Sequence, residues 1–310
     1  MLCVLPVLAG YALAQEYPAK PLRIVTGAPG STAEFTSRMV ALGLSGPLGQ
    51  PVIVDPRSTG GATLFGEIVA RAQPDGHTLL IIGPTLWVGP LFRKAPYNPL
   101  TDFAFISIMT DAPNILVVHP SLPVNSVKDL IDLAKASPQS LNYSTSGIGA
   151  SPHLAAELFK LMTGTRIAHV PYKGAGASII GLLGGEVQLS FASAASVTAQ
   201  INLGKLRAIA VSGAKPYALF PDLPTIGATV PGYEAGSPIG FFAPARTPAA
   251  IIARLNREVV AMLSKPEVKA RFLSTGVETA GSTPEQLAAT VKSDTIKWSK
   301  VIKEAGIRLD

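Results

Sequence analysis

Residues Asn142 to Phe159 read NYSTSGIGASPHLAAELF, and the fold follows from how this stretch divides. Asn142 to Ser144 reads as the end of a short strand. Ser144, Thr145, Ser146, Gly147 and Gly149 make a loop that runs on through Ala150. Ser151 then stands where an N-cap belongs and Pro152 at the first helical position, with Leu154, Leu158 and Leu161 at helical spacing. A glycine-rich turn entering a helix leaves backbone N–H groups without partners, and the helix dipole favours negative charge there. The stretch is therefore either an anion seat or an ordinary strand–loop–helix connection, and by itself it does not decide between them.

A second unit of the same design lies near the start. Leu22 to Thr26 (LRIVT) reads as a strand, Gly27-Ala28-Pro29-Gly30 as a turn, and Ser31-Thr32-Ala33-Glu34 as a helix start with capping-box spacing. Phe35, Met39, Leu42 and Leu44 continue the helical pattern. Two such units in two halves of one chain strengthen the case for an anion cleft beyond either alone.

Between and beyond them, strand and helix alternate. Pro51–Asp55, His77–Ile82, Phe105–Met109, Ile115–His119, Ala168–Pro171, Val187–Phe191 and Leu206–Ser212 read as strands, and the fourth of these is a place to cross into another lobe. Pro84 and Thr85 lie just past the end of an uninterrupted apolar strand, where ligands sit in open α/β sheets. Tyr172-Lys173-Gly174 is a further loop before a helix at 177–183, and residues 91–105 look irregular. Helices are expected at Val127–Ala136, Val197–Leu203, Pro248–Leu263, Pro266–Ser274 and Pro284–Glu304, and Gly240–Pro244 is apolar enough to return to the first lobe. The alternation predicts parallel sheets with right-handed crossovers.

At 310 residues the chain exceeds the usual single domain, so two α/β lobes are expected. Its net charge of +6 is scattered, without the long basic run or aromatic-interleaved strip that would suit nucleic acid, so no nucleic-acid partner is expected. Residues 1–14 (MLCVLPVLAGYALA) are apolar, too short to span a bilayer, and end in a small-x-small pattern resembling a signal-peptidase site. No Lys or Arg precedes the apolar core, so the expectation is a secretory signal peptide with a truncated start, against the alternative of a buried N-terminal element. The single cysteine, Cys3, falls inside it, and cleavage after Ala14 would leave a cysteine-free protein suited to an oxidising compartment.

Catalytic templates are missing: GxxxxGK[ST], HExxH, GxSxG, GxGxxG and paired-cysteine spacings do not occur. His153 and Glu157 share an i, i+4 spacing with no third ligand nearby, and His153 reads as a first-turn residue bonded to its loop. His77, His119 and His169 read as structural. No metal and no cofactor are expected, which shifts weight from enzyme to binder. Ser146 with His153 is the one nucleophile–base pair an enzyme reading would have.

Ordered blocks along the whole chain carry a resemblance. They include YPAKPLRIVTGAPGSTAEFTSR (Tyr17–Arg38), GQPVIVDPRSTGGAT (Gly49–Thr63), ARAQPDGHTLLI (Ala70–Ile81) and APYNPLTDF (Ala95–Phe103). STSGIGASPHLAAELF (Ser144–Phe159), VPYKGAGASIIGLLGGEVQLSF (Val170–Phe191), PDLPT (Pro221–Thr225) and PGYE (Pro231–Glu234) continue the series. With them the chain resembles the periplasmic solute receptors of tripartite tricarboxylate transporters, also called Bug proteins.

The resemblance implies an α/β, two-lobed type II periplasmic-binding-protein fold, each lobe a mostly parallel sheet flanked by helices. Lobe 1 would take residues 17–118 and 241–310, lobe 2 residues 119–240. It implies a hinged, monomeric periplasmic receptor that closes on a small organic carboxylate and delivers it to membrane transporter subunits; a sensor or an enzyme on the same scaffold is the alternative. The implied seats are Gly27, Ala28, Pro29, Gly30, Ser31 and Thr32 on one side and Ser144, Thr145, Ser146, Gly147, Gly149 and Ala150 on the other. Pro84, Thr85, Tyr172, Lys173, Gly174 and Ala192 would form the walls.

Two departures from the family pattern stand out. Ser31 and Glu34 replace a second glycine and an aspartate in the first loop, which alters the near end of the pocket or caps the helix. Ala192 stands where the family commonly has aspartate, arguing against ligands with an ammonium and toward plain or aromatic carboxylates. The Ala/Ser run from Ala192 to Ser196 makes that wall small.

Overall fold

The computed structural model describes residues 17–27, 29–57, 61–92, 94–304 and 306. The expected signal peptide at 1–14 and the site residue Ala28 lie outside the described residues.

Among the described residues, ten strands form two five-stranded sheets. They are β1 (Leu22–Thr26), β2 (Val52–Pro56), β3 (Thr78–Ile82), β4 (Phe103–Thr110), β5 (Asn114–Val118), β6 (Asn142–Thr145), β7 (Ala168–Pro171), β8 (Leu189–Ser193), β9 (Arg207–Val211) and β10 (Ile239–Pro244). The sheet orders are β2-β1-β3-β10-β4 and β7-β6-β8-β5-β9. The helices are α1 (Thr32–Leu48), α2 (Gly61–Ala70), α3 (Thr85–Phe92), α4 (Val127–Ala136), α5 (Ser151–Thr163), α6 (Ala175–Leu183), α7 (Ala194–Asn202), α8 (Ala249–Ser264), α9 (Pro266–Leu273) and α10 (Pro284–Glu304). The result is a two-lobed α/β fold.

Both sheets are mixed, and the same position in each is reversed. β1 pairs in parallel with β2 and β3, and β6 with β7 and β8. β10 runs antiparallel to β3 and β4, and β5 antiparallel to β8 and β9. Strand direction is invisible to hydrophobic patterning here, because β5 and β10 are buried at every position and read like parallel-sheet strands.

The chain passes from the first sheet to the second between Thr110 and Asn114, so β5 belongs with the second sheet rather than with residues 17–110. The expected boundary at 118 falls too late, since an apolar run does not mark which sheet will bury it. The outgoing and returning segments are tied together. The Ser237 N–H donates to the Ala112 carbonyl (3.1 Å), and the Asn114 N–H donates to Ser212 Oγ (2.8 Å).

Local chemistry explains the starts of α1 and α4. Ser31 caps α1, its Oγ accepting from the Glu34 N–H at 3.2 Å, while Glu34 reaches back to the Gly30 N–H at 3.3 Å. Ser126 caps α4 through the Asp129 N–H at 3.1 Å. Residues 85–92, expected to be mainly a loop end and an irregular stretch, form α3. Trp87 on α3 is fully buried, donates from Nε1 to Asp294 on α10 (3.3 Å), and lies 6.2 Å from the Phe242 ring. That tertiary contact overrides the weak local signal of a helix holding Gly89 and Pro90. One continuous core reaches from this aromatic cluster into the second lobe through Leu116, Tyr143 and Phe159.

Candidate functional site

A cavity of about 350 Å³ lies between the lobes, at the carboxyl ends of β1, β6 and β8 and the amino end of the reversed β5. Gly30, Ser31 and Thr32 at the start of α1 close it from the first lobe. Ser146 with the start of α5, Ala175 at the start of α6, and Ser193, Ala195 and Ser196 at the start of α7 close it from the second. Four helix N-termini thus meet at one cavity. No side-chain cap bonds the starts of α5, α6 or α7, so their first-turn N–H groups lack that partner. Among the described residues, no charged side chain lines the cavity. Its electrostatics come from oriented backbone and neutral hydroxyls, a combination that favours an anion without a salt bridge.

Five of the expected residues border this cavity: Gly30, Ser31, Thr32, Ser146 and Ala192. Gly27, Pro29, Pro84, Thr85, Ser144, Thr145, Gly147, Gly149, Ala150, Tyr172, Lys173 and Gly174 do not. Several are occupied elsewhere. Ser144 is fully buried and exchanges hydrogen bonds with Ser178. Thr145 Oγ1 bonds His169 Nε2 at 2.7 Å. The Gly149 N–H donates to His153 Nδ1 at 3.1 Å, so it is not a free amide of the seat. Gly149 adopts φ 77° against the Phe92 ring of the other lobe, where a Cβ would come within 3.3 Å of a ring carbon. Tyr172 donates its hydroxyl to Glu186 (2.8 Å) and lies over Gly181 on α6, turned from the cavity.

The start of α5 also differs from expectation. Ala150 is the N-cap, and Ser151 is the first helical residue. Ser151 Oγ accepts from Asn114 Nδ2 at 2.7 Å, a long-range bond that displaces the local cap. Asn114, Ser178, Ser190 and Ser237 line the cavity as well and escaped the sequence reading. Only the Ala/Ser run at 192–196 had a visible signal.

Behind the second loop stands a buried titratable cluster. His153 lies 4.4 Å from the His169 ring, which stacks on Tyr143 at 4.9 Å. Tyr143 donates to Glu157, and Lys160 pairs with the same carboxylate at 2.6 Å. Burial, with the neighbouring His169, pushes His153 down to about 4, and burial also lowers His169. Ser146 and His153 make no hydrogen bond among the described residues, so the nucleophile–base pair is not assembled.

The unfolded chain takes up these protons near pH 6.5, the folded chain only at lower pH. Stability is therefore expected to be greatest above pH 6.5 and to fall toward pH 4, by up to about 1.4 kcal/mol per pH unit for each histidine. Asp111, whose carboxyl is raised by burial and by Glu234 and Asp294, acts in the opposite sense. Urea midpoints of His153→Gln and the parent across pH 4 to 7 isolate the His153 share. Parallel profiles would contradict it.

Comparison with known proteins agrees with this architecture. Residues 36–307 match the family model described as tripartite tricarboxylate transporter family receptor. The chain belongs to this receptor family. The receptor is 33% identical to protein BugT of Bordetella pertussis over 301 residues, 96% of this chain and 92% of that protein. Among solved structures it is similar to R. palustris Rpa4515 with adipate (35% identity, 94% and 99% coverage, TM-score 0.84). It is also similar to MatC from Rhodopseudomonas palustris with bound malate (26% identity, 92% and 100% coverage, TM-score 0.80). In this receptor no helix among the described residues is long and apolar enough to cross a membrane.

Proposed function

We propose that this protein is a periplasmic receptor that captures a small organic carboxylate between its lobes and hands it to membrane transporter subunits. The observation that carries the reading is the meeting of four helix N-termini, from both lobes, at one cavity that no charged side chain among the described residues lines. Binding of adipate and malate by two structural neighbours supports the same ligand chemistry. Gly30 to Thr32, with Ser146, Ser151 and Pro152, hold the carboxylate. Because the ligand contacts both lobes, the closed arrangement is favoured when the site is filled. Residues 1–14 act as the export signal, and the receptor works as a monomer without cofactor or metal.

A thermal-shift panel of aliphatic and aromatic mono-, di- and tricarboxylates tests this. A cognate acid at a hundredfold excess over its Kd should stabilise the fold by about 2.7 kcal/mol, with the acid recovered chemically unchanged. Conversion of the acid, or no response to any carboxylate, would refute the proposal.

A further inference from the structure

The serine hydroxyls around the cavity are not equivalent, because each has a single hydrogen to donate. On the wall formed by α6, α7 and the end of β8, those hydrogens are engaged within the protein. Ser178 Oγ donates to Ser144 Oγ at 2.8 Å, and Ser190 Oγ donates to the Ser144 carbonyl at 2.9 Å. Ser193 Oγ donates to Ser196 Oγ at 3.0 Å, and Ser196 Oγ to the Ser193 carbonyl at 2.7 Å. Ser178 and Ser190 are 3% and 1% exposed, so water does not compete for these bonds. With their hydrogens engaged, the hydroxyl oxygens of this wall have only lone pairs left to offer, beside the uncapped first turn of α7. It offers acceptors from hydroxyls, donors from backbone and, among the described residues, no charge.

The opposite wall is built the other way round. Ser31 Oγ accepts from the Glu34 N–H, and Ser151 Oγ accepts from the 2%-exposed Asn114. Among the described residues neither hydroxyl donates to another group, so each has its own hydrogen for whatever fills the cavity.

Resting on the carboxylate-receptor reading above, we infer that the ligand carries one carboxylate, held at the α1–α5 wall, and an uncharged far end that both donates and accepts. An alcohol, a phenol or a carboxamide fits the α6–α7 wall. A second carboxylate there would face hydroxyl oxygens whose hydrogens point elsewhere, and turning them would break the internal bonds. An ammonium would meet lone pairs but also the positive end of α7 with no acid to pair it.

Two series that differ only at the far end test the inference by calorimetry on the mature protein. One is hexanoate, 6-hydroxyhexanoate, adipate and 6-aminohexanoate. The other is benzoate, 4-hydroxybenzoate, terephthalate and 4-(aminomethyl)benzoate. In whichever skeleton binds, the hydroxy acid should bind at least about tenfold tighter than the doubly charged analogues and tighter than the unsubstituted parent. A dicarboxylate or amino acid as the tightest ligand, or a parent equal to its hydroxy acid, would overturn the inference and leave the carboxylate-receptor reading standing. No binding by any of the eight would overturn the inference, and the receptor reading falls with it only if the whole carboxylate panel above is also silent. Ser196→Lys, which puts an ammonium on this wall, should move the preference toward the dicarboxylate by about tenfold. An unmoved preference would place the far end elsewhere and defeat the inference.

Discussion

Ala195→Asp is expected to weaken carboxylate binding by about thirtyfold while the protein still folds. Ala195 sits in the first turn of α7 and borders the cavity. Two like charges about 5 Å apart at an effective dielectric constant of about 20 repel by about 3 kcal/mol, and the exposure of this position reduces that to about 2 kcal/mol. An acidic residue in the first turn of a helix is itself favourable by about 0.3–1 kcal/mol, so the substitution does not threaten the fold. Ala195→Asn is the matched neutral control and should stay within about threefold of the parent. Calorimetry on the three proteins, with the best acid from the panel, separates charge from size. Equal losses in the Asp and Asn variants would mean that sterics, not the electrostatics of the converging helices, govern the cavity.

Phe242→Ala should be among the most damaging single changes, at a cost of about 3–5 kcal/mol. Its ring is fully buried on β10, the strand that returns to close the first sheet between β3 and β4. Trp87, Phe103 and Phe105 surround it at centroid distances of 5.9 to 6.2 Å. The ring also leans over Gly240, where a Cβ would lie 2.5 Å from the Phe242 Cζ, so residue 240 has no side chain to fill the space. Ile53→Ala is a useful contrast. Ile53 is 55% exposed on edge strand β2, and its truncation should change stability by no more than about 0.5 kcal/mol. Urea denaturation of both variants checks the difference. A loss below about 1 kcal/mol for Phe242→Ala would show that β10 does not hold the core together.

The sequence was most legible where structure is made locally. Ser31 with Glu34 and Ser126 with Asp129 satisfy helix N–H groups within three residues, and both helix starts fall where those residues place them. Alternation of apolar runs with amphipathic stretches located nearly every strand and helix. The two strand–loop–helix units did point to the region of the cavity, with Gly30, Ser31, Thr32, Ser146 and Ala192 on its surface.

The detail of the site lay beyond local reasoning for a definite reason. Glycine loops announce free N–H groups, but partners from elsewhere decide which remain free. The Gly149 N–H is taken by His153, and the Ser151 hydroxyl by Asn114, 37 residues away in the chain. Tyr172 looked like a wall and instead leans on Gly181 because Glu186 draws its hydroxyl.

What the sequence by itself determined is the list of elements, their order and the presence of capped or glycine-led helix starts. Caps and hydrophobic periods act over a few residues and need no fold to exist. What only the tertiary structure decided is the direction of β5 and β10, the sheet each joined, and the hydrogen each serine has left to give. Those depend on strand register and on bonds such as Ser178 to Ser144, which join residues 34 apart that meet only when β6, β8 and α6 have assembled.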